Sequence, residues 1–135
     1  MKSDDYKKLV KYWQETAAYD YDTMKSLVKS QRYASSLFFG HIVLEKILKG
    51  LVVKSIKKHA PYTHDLVKLY KLAGMELDNN TKDLLYEVNK FNLKARYPEW
   101  KLQFYKYCTR EYAEGYLDKI DKLYKKLCQR LKQKK

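Results

Sequence analysis

Charged side chains that interrupt an apolar helical stripe are where this chain has chemistry to offer. Asp20 falls three residues after Ala17 and four before Met24, on what should be the buried face of a helix. His41 and Glu45 stand one turn apart, with Leu48 following on the same face. Burying any of these without a partner is costly. Two breaks between apolar segments supply further polar groups: His64 and Asp65 in PYTHDLVKL, and Arg96 with Tyr97 ahead of Pro98. A carboxylate accepts from an imidazole or from the two-pronged guanidinium of an arginine. The expectation is that Asp20, His41, Glu45, His64 and Arg96 line one groove, where the two loops meet at an end of the molecule. The competing reading makes each of them a satisfied ion pair or a cap, with His64 and Asp65 opening a short helix.

The elements that would position these residues follow from apolar spacing near 3.6. Leu9, Trp13, Ala17, Met24 and Leu27 or Val28 predict a first helix over about 4–29, with Ser3 as N-cap ahead of Asp4 and Asp5. Leu37 or Phe38, His41, Leu44 or Glu45, Leu48, Val52 and Ile56 predict a second, over about 32–58, stopped by Pro61. Thr63 is the expected N-cap of a short helix over 64–73 that Gly74 ends. Asn79, Asn80 or Thr81 caps a fourth carrying Leu84, Leu85, Val88 and Phe91. Pro98 disfavours helical backbone at Tyr97 and interrupts the chain there. Ala113, Leu117, Ile120, Tyr124, Leu127 and Leu131 alternate by four and three, which predicts one last helix over about 101–132. With no strand-like alternation and no repeat, the fold class is all-α: an up-and-down antiparallel bundle of four to five helices, one domain over 1–135.

Bulk properties narrow the chemistry. The 135 residues are 45% hydrophobic and 33% charged with only six Gly and Pro, the composition of a helical globular protein rather than a disordered one. Cys108 and Cys128 form neither a CxxC nor a disulfide framework, which fits a reducing, cytoplasmic setting. No apolar run approaches a membrane span, and no apolar leader opens the chain. HExxH, a glycine-rich phosphate loop and a GxSxG elbow are missing, and His41, His59 and His64 lack a second ligand at metal spacing, so neither a metal nor a cofactor is expected. The formal charge of +13 favours polyanions or an acidic partner protein. It peaks at the end of the chain, where Lys125, Lys126, Arg130, Lys132, Lys134 and Lys135 have no acid among them and residues 125–135 read as a frayed basic tail.

Taken in order, Trp13, Ala17 and Asp20, then His41, Glu45-Lys46, Lys49-Gly50 and Leu51 in HIVLEKILKGL, then Thr63-His64-Asp65-Leu66, then Ala95-Arg96-Tyr97-Pro98, resemble the HEPN domain family. The likeness is to the subgroup with an Ala-Arg-Tyr-Pro loop and covers about residues 10 to 115. It implies a bundle of four to five helices that commonly pairs into a homodimer. Many relatives are toxins or antiphage effectors that cleave RNA without metal, and many accompany a minimal nucleotidyltransferase. The ribonuclease members carry an Arg followed after four to six residues by a His. Here no His follows His64, so Arg96, Arg110 and Arg130 have none downstream, and Arg32 precedes His41 by nine.

The function expected is therefore a nucleotide-binding or regulatory module, paired with a nucleotidyltransferase in a toxin–antitoxin or defence setting. Arg96, Lys46, Lys49 and His64 would hold phosphate, and Tyr97 would stack on a base. The alternatives are a divergent metal-independent ribonuclease using Arg96 with His64 or His41, and general RNA binding through the basic last helix. His41 and Glu45, with Phe38 and Phe39 beside them, are expected to form a self-complementary patch across a homodimer.

Overall fold

The computed structural model describes residues 2–133, which form six helices: α1 (Ser3–Lys29), α2 (Tyr33–Ile56), α3 (Leu66–Leu72), α4 (Asn79–Arg96), α5 (Pro98–Tyr107) and α6 (Arg110–Lys132). No strand occurs among the described residues.

α2 is the central post because its sequence is apolar on every side. Fourteen of its 24 residues are buried, so no amphipathic stripe is left for solvent. α1, α3, α4 and α6 all pack on it. The four long helices alternate in direction along the chain. α2 and α6 run parallel, since Gly40 lies against Ile120 and Gly50 against Leu131, and α4 opposes α6. The two glycines allow these approaches. A Cβ on Gly40 would sit 2.8 Å from Ile120 Cδ1, and one on Gly50 would sit 3.3 Å from Trp13 Cβ.

The α1–α2 corner closes without glycine. Gln31 takes the left-handed conformation at φ 63°, while the Gln31 and Arg32 amides donate to Val28 and Leu27 carbonyls, a Schellman closure. Ser36 Oγ then donates to the Met24 carbonyl at 3.0 Å and locks the hairpin. α1 is tied to α6 by Tyr21, whose hydroxyl donates to Asp121 and whose ring stacks on Tyr124.

Most boundaries expected from spacing hold, and the caps shift. Lys2, without a side-chain bond, precedes α1 instead of Ser3. Lys57 in the left-handed region ends α2, four residues before Pro61. Asp65 and Asp78 cap α3 and α4 in place of Thr63 and of the Asn79–Thr81 group, each accepting backbone N–H bonds from the first turn.

The expected last helix is two. Phe104, Cys108 and Ala113 are all buried, yet Cys108 and Ala113 are five apart and no straight helix keeps that spacing on one face. The chain breaks between them. Thr109 caps α6 by accepting from the Tyr112 amide at 3.2 Å, and Phe104 and Ala113 both reach the core. At its far end α6 runs to Lys132, with Leu127 and Leu131 buried and Lys54 Nζ donating to the Leu131 carbonyl at 2.7 Å. Lys134 and Lys135, part of the expected basic tail, lie outside the described residues.

Candidate functional site

α2 presents Glu45 and Lys49 one turn apart, with His41 one turn before them. The loop 57–65 brings His64 onto the same stretch, at the middle of α2 rather than at an end of the bundle. Glu45 is the hub. Its Oε1 lies 2.8 Å from His64 Nδ1 and 3.8 Å from His41 Nδ1, and its Oε2 accepts from Lys49 Nζ at 3.0 Å. Lys49 Nζ also stands 5.4 Å from the centroid of the Trp13 ring, a cation–π contact that helps to hold a buried ammonium.

The imidazole tautomers follow from acceptors that cannot donate. His41 Nε2 lies 2.9 Å from the His64 carbonyl, so that nitrogen carries a hydrogen. The carboxylate opposite His64 Nδ1 requires a hydrogen there too. His64 Nε2 has no protein partner among the described residues, and its side chain is 60% exposed. A carboxylate-oriented imidazole with its second nitrogen free at the surface can bind an anion when protonated or accept a proton when neutral.

The loop is fixed by Asp65 and Asn89. Asp65 Oδ1 accepts from the Val67 amide and from Asn89 Nδ2, each at 3.0 Å, while Asn89 Oδ1 accepts from the Leu66 amide at 3.0 Å. Thus Thr-His-Asp-Leu is a capping motif pinned to α4, and His64 is placed by its neighbours. His41, Glu45 and His64 do not make up a group of metal ligands with any other described residue.

Burial keeps His41 neutral. Its side chain is 1% exposed, and desolvation lowers its pKa from the ordinary 6.5, with Glu45 opposing the shift. The unfolded chain takes up this proton near 6.5 and the folded chain resists it. The contribution to stability is therefore complete above about pH 6.5 and is lost as pH falls toward the lowered folded value. Thermal unfolding measured from about pH 7 down to 5 should show a declining midpoint whose slope is shallower in His41→Gln. Identical slopes would show that His41 does not titrate between the two states.

The remaining expected residues separate from this hub. Asp20 meets Lys46 Nζ at 2.5 Å, a charge contact between α1 and α2. Lys46 and Lys49, expected to hold phosphate, are each paired with a carboxylate of their own chain, Asp20 and Glu45. His41 and Glu45 are covered by the loop of the same chain, so the self-complementary patch expected of them is not presented at the surface. Phe38 and Phe39 are half-buried beside them, their rings 6.0 Å apart. Arg96 does not join the hub. It lies seven residues, or about 10 Å of helix, beyond Asn89, is exposed, and makes no hydrogen bond or ion pair among the described residues. The reason is the length of α4, which carries the second loop away from the first.

What spacing alone missed is the environment of Arg96. Tyr97, Trp100, Leu102, Tyr105 and Tyr107 are all exposed on and before α5. The signal was present in the sequence as five aromatic residues between 97 and 107, hidden by treating 101–132 as one helix. Thiol chemistry is disfavoured, since burial pushes the Cys108 thiol up to about 12 and raises Cys128. A groove of about 580 Å³ between α4 and α6, lined by Glu87, Tyr116, Lys119 and Lys126, contains none of the expected site residues. No helix among the described residues is long and apolar enough to cross a membrane.

No curated protein and no solved structure matches the chain. The model of the HEPN domain matches residues 10–131, a span that takes in α2, the capped His64 loop and nearly all of α6. The chain belongs to the HEPN family.

Proposed function

We propose that this HEPN protein is a nucleotide-binding module with a regulatory role, in which Arg96 takes the phosphate and Tyr97 the base. The observation that carries this reading is an exposed guanidinium with no ion pair beside a half-exposed ring, Tyr97, which meets Trp100 edge-on at 6.0 Å. An unpaired guanidinium has its donor fork available for phosphate. In this proposal the protein acts as a homodimer beside a nucleotidyltransferase partner, in a toxin–antitoxin or defence setting. Calorimetry with millimolar ATP and GTP should give binding that Arg96→Ala weakens by about ten-fold, the scale of a charge-assisted hydrogen bond. No heat with any nucleotide would sink the reading.

A second reading rests on the Glu45–His64 pair. An imidazole oriented by a carboxylate, with Nε2 free, is equipped to move a proton during metal-independent RNA cleavage. RNA incubated with the protein in EDTA would then be cut by the wild type and left intact by His64→Ala. Intact RNA in both would remove catalysis by His64.

A further inference from the structure

α5 is nearly unsupported. Phe104 is its one buried side chain, and the other nine are exposed. A helix of ten residues is marginal in water on its own, and this one is held by Phe104 stacked on Phe91 at 5.8 Å and by Tyr107, which packs on Tyr112 and accepts from Lys94.

The chemistry of that surface is consistent along its length. Trp100 and Tyr107 lie on one flank of α5, and Lys101 and Tyr105 on the other. Two of the rings have a cation at hand. Lys101 Nζ is 5.9 Å from the Tyr105 centroid, and Lys94 Nζ is 5.1 Å from that of Tyr107 and donates to its hydroxyl at 2.6 Å. Around α5 the chain carries Lys94, Arg96, Lys101 and Lys106 against the lone acid Glu99, while Lys90 and Arg110 beyond them are paired with Glu87 and Glu114.

This charge selects the occupant. At this face a second copy would set two such basic segments against each other, which local like-charge repulsion opposes. Tyr97, Trp100 and Tyr105 are each about half-exposed and interleaved with cations, Tyr97 meeting Trp100 edge-on. Sequence-tolerant binders of single strands use this arrangement, with bases stacked on rings and phosphates on neighbouring charges.

We propose that α5 and the Arg96–Tyr97 corner form a stacking track for single-stranded nucleic acid, with Tyr97 and Trp100 taking bases and Arg96, Lys101 and Lys106 taking phosphates. The proposal deepens the nucleotide reading, and rests on it only through Arg96 and Tyr97. It differs in the size of the ligand: a polymer that runs along the helix rather than one nucleotide at its start.

Fluorescence anisotropy of the full chain with labelled oligouridylate, oligothymidylate and an RNA duplex tests it, with ATP titrated in parallel. Single strands should bind at least about ten-fold tighter than the duplex. Trp100→Ala should weaken them about ten-fold at an unchanged unfolding midpoint. The double variant Lys101→Ala, Lys106→Ala should reduce the slope of log affinity against log salt by about 1.4, at about 0.7 per phosphate contact. Equal affinity for oligouridylate and oligothymidylate assigns the track to single strands generally, and preference for the former assigns it to RNA.

Single-strand affinity indifferent to Trp100→Ala, or equal affinity for the duplex, would overturn the proposal in favour of unspecific charge. Competition by polyglutamate as effective as that by oligouridylate would assign the face to an acidic protein. A concentration-dependent dimer that Trp100→Ala disperses, with no RNA effect, would assign it to a second copy. If ATP is silent and oligouridylate binds through Trp100, the mononucleotide reading fails and the track stands. If ATP binds through Arg96 and the oligomer gains nothing, the reverse holds.

Discussion

Glu45→Ala is expected to lower the unfolding free energy by about 3 kcal/mol, and the melting midpoint by roughly 10 °C for a domain of this size. The carboxylate accepts from Lys49 and His64, and its Oε1 lies 3.8 Å from His41 Nδ1. Its loss leaves Lys49, whose side chain is only 10% exposed, as a cation without a counter-ion, and the Trp13 ring recovers only part of that interaction. It also frees His64 from the Nδ1 contact that orients it. Glu45→Gln separates the two effects, because an amide oxygen still accepts from His64 while the charge opposite Lys49 is gone. The expected order in urea unfolding is wild type, then Gln, then Ala. A loss below about 0.5 kcal/mol for Glu45→Ala, the range of ordinary surface changes, would mean that Lys49 reaches solvent and that the hub does not hold the fold.

The second large effect is expected at Phe104→Ala, at about 3 kcal/mol, the lower end for removal of a buried phenylalanine. The consequence is local first. With Phe104 gone α5 has no buried side chain of its own, so amide exchange should lose protection across 98–107 while α2 and α6 keep theirs. Trp100→Ala, on the exposed flank of the same helix, should change stability by less than about 0.5 kcal/mol. The contrast matters for function, since one variant removes the element and the other only its surface chemistry. If Phe104→Ala left exchange over 98–107 unchanged, α5 would have support other than its single core contact.

The hub and the track serve different ends of one design. Around Glu45 the Lys49 ammonium and His64 Nδ1 are partnered inside the chain, which stabilises the fold and leaves His64 Nε2 open to solvent. Around Arg96 little is satisfied inside the chain, which leaves cations and rings for something else to cover. This is why α5 has the more testable surface even though the hub is the more ordered site.

How much of this was legible beforehand can be argued residue by residue. The helices, the all-α class and the family were written locally. Apolar spacing fixes which residues face inward, Gly74 and Pro98 mark helix ends within a few residues of where they stand, and the motifs from Trp13 to Pro98 come in family order. The pairing of His41 with Glu45 was also local, because i and i+4 on a helix are neighbours by geometry. Only the tertiary structure decided that His64 completes that pair and Arg96 does not, because where a loop lands depends on the lengths and crossings of the helices that carry it. Only the structure showed Lys46 and Lys49 neutralised by Asp20 and Glu45, since a charge in a sequence gives no notice of its partner across an interface. The division of the last helix lay between the two: the five-residue step from Cys108 to Ala113 is visible in the sequence, but it means a break only once Phe104 and Ala113 are known to share one core.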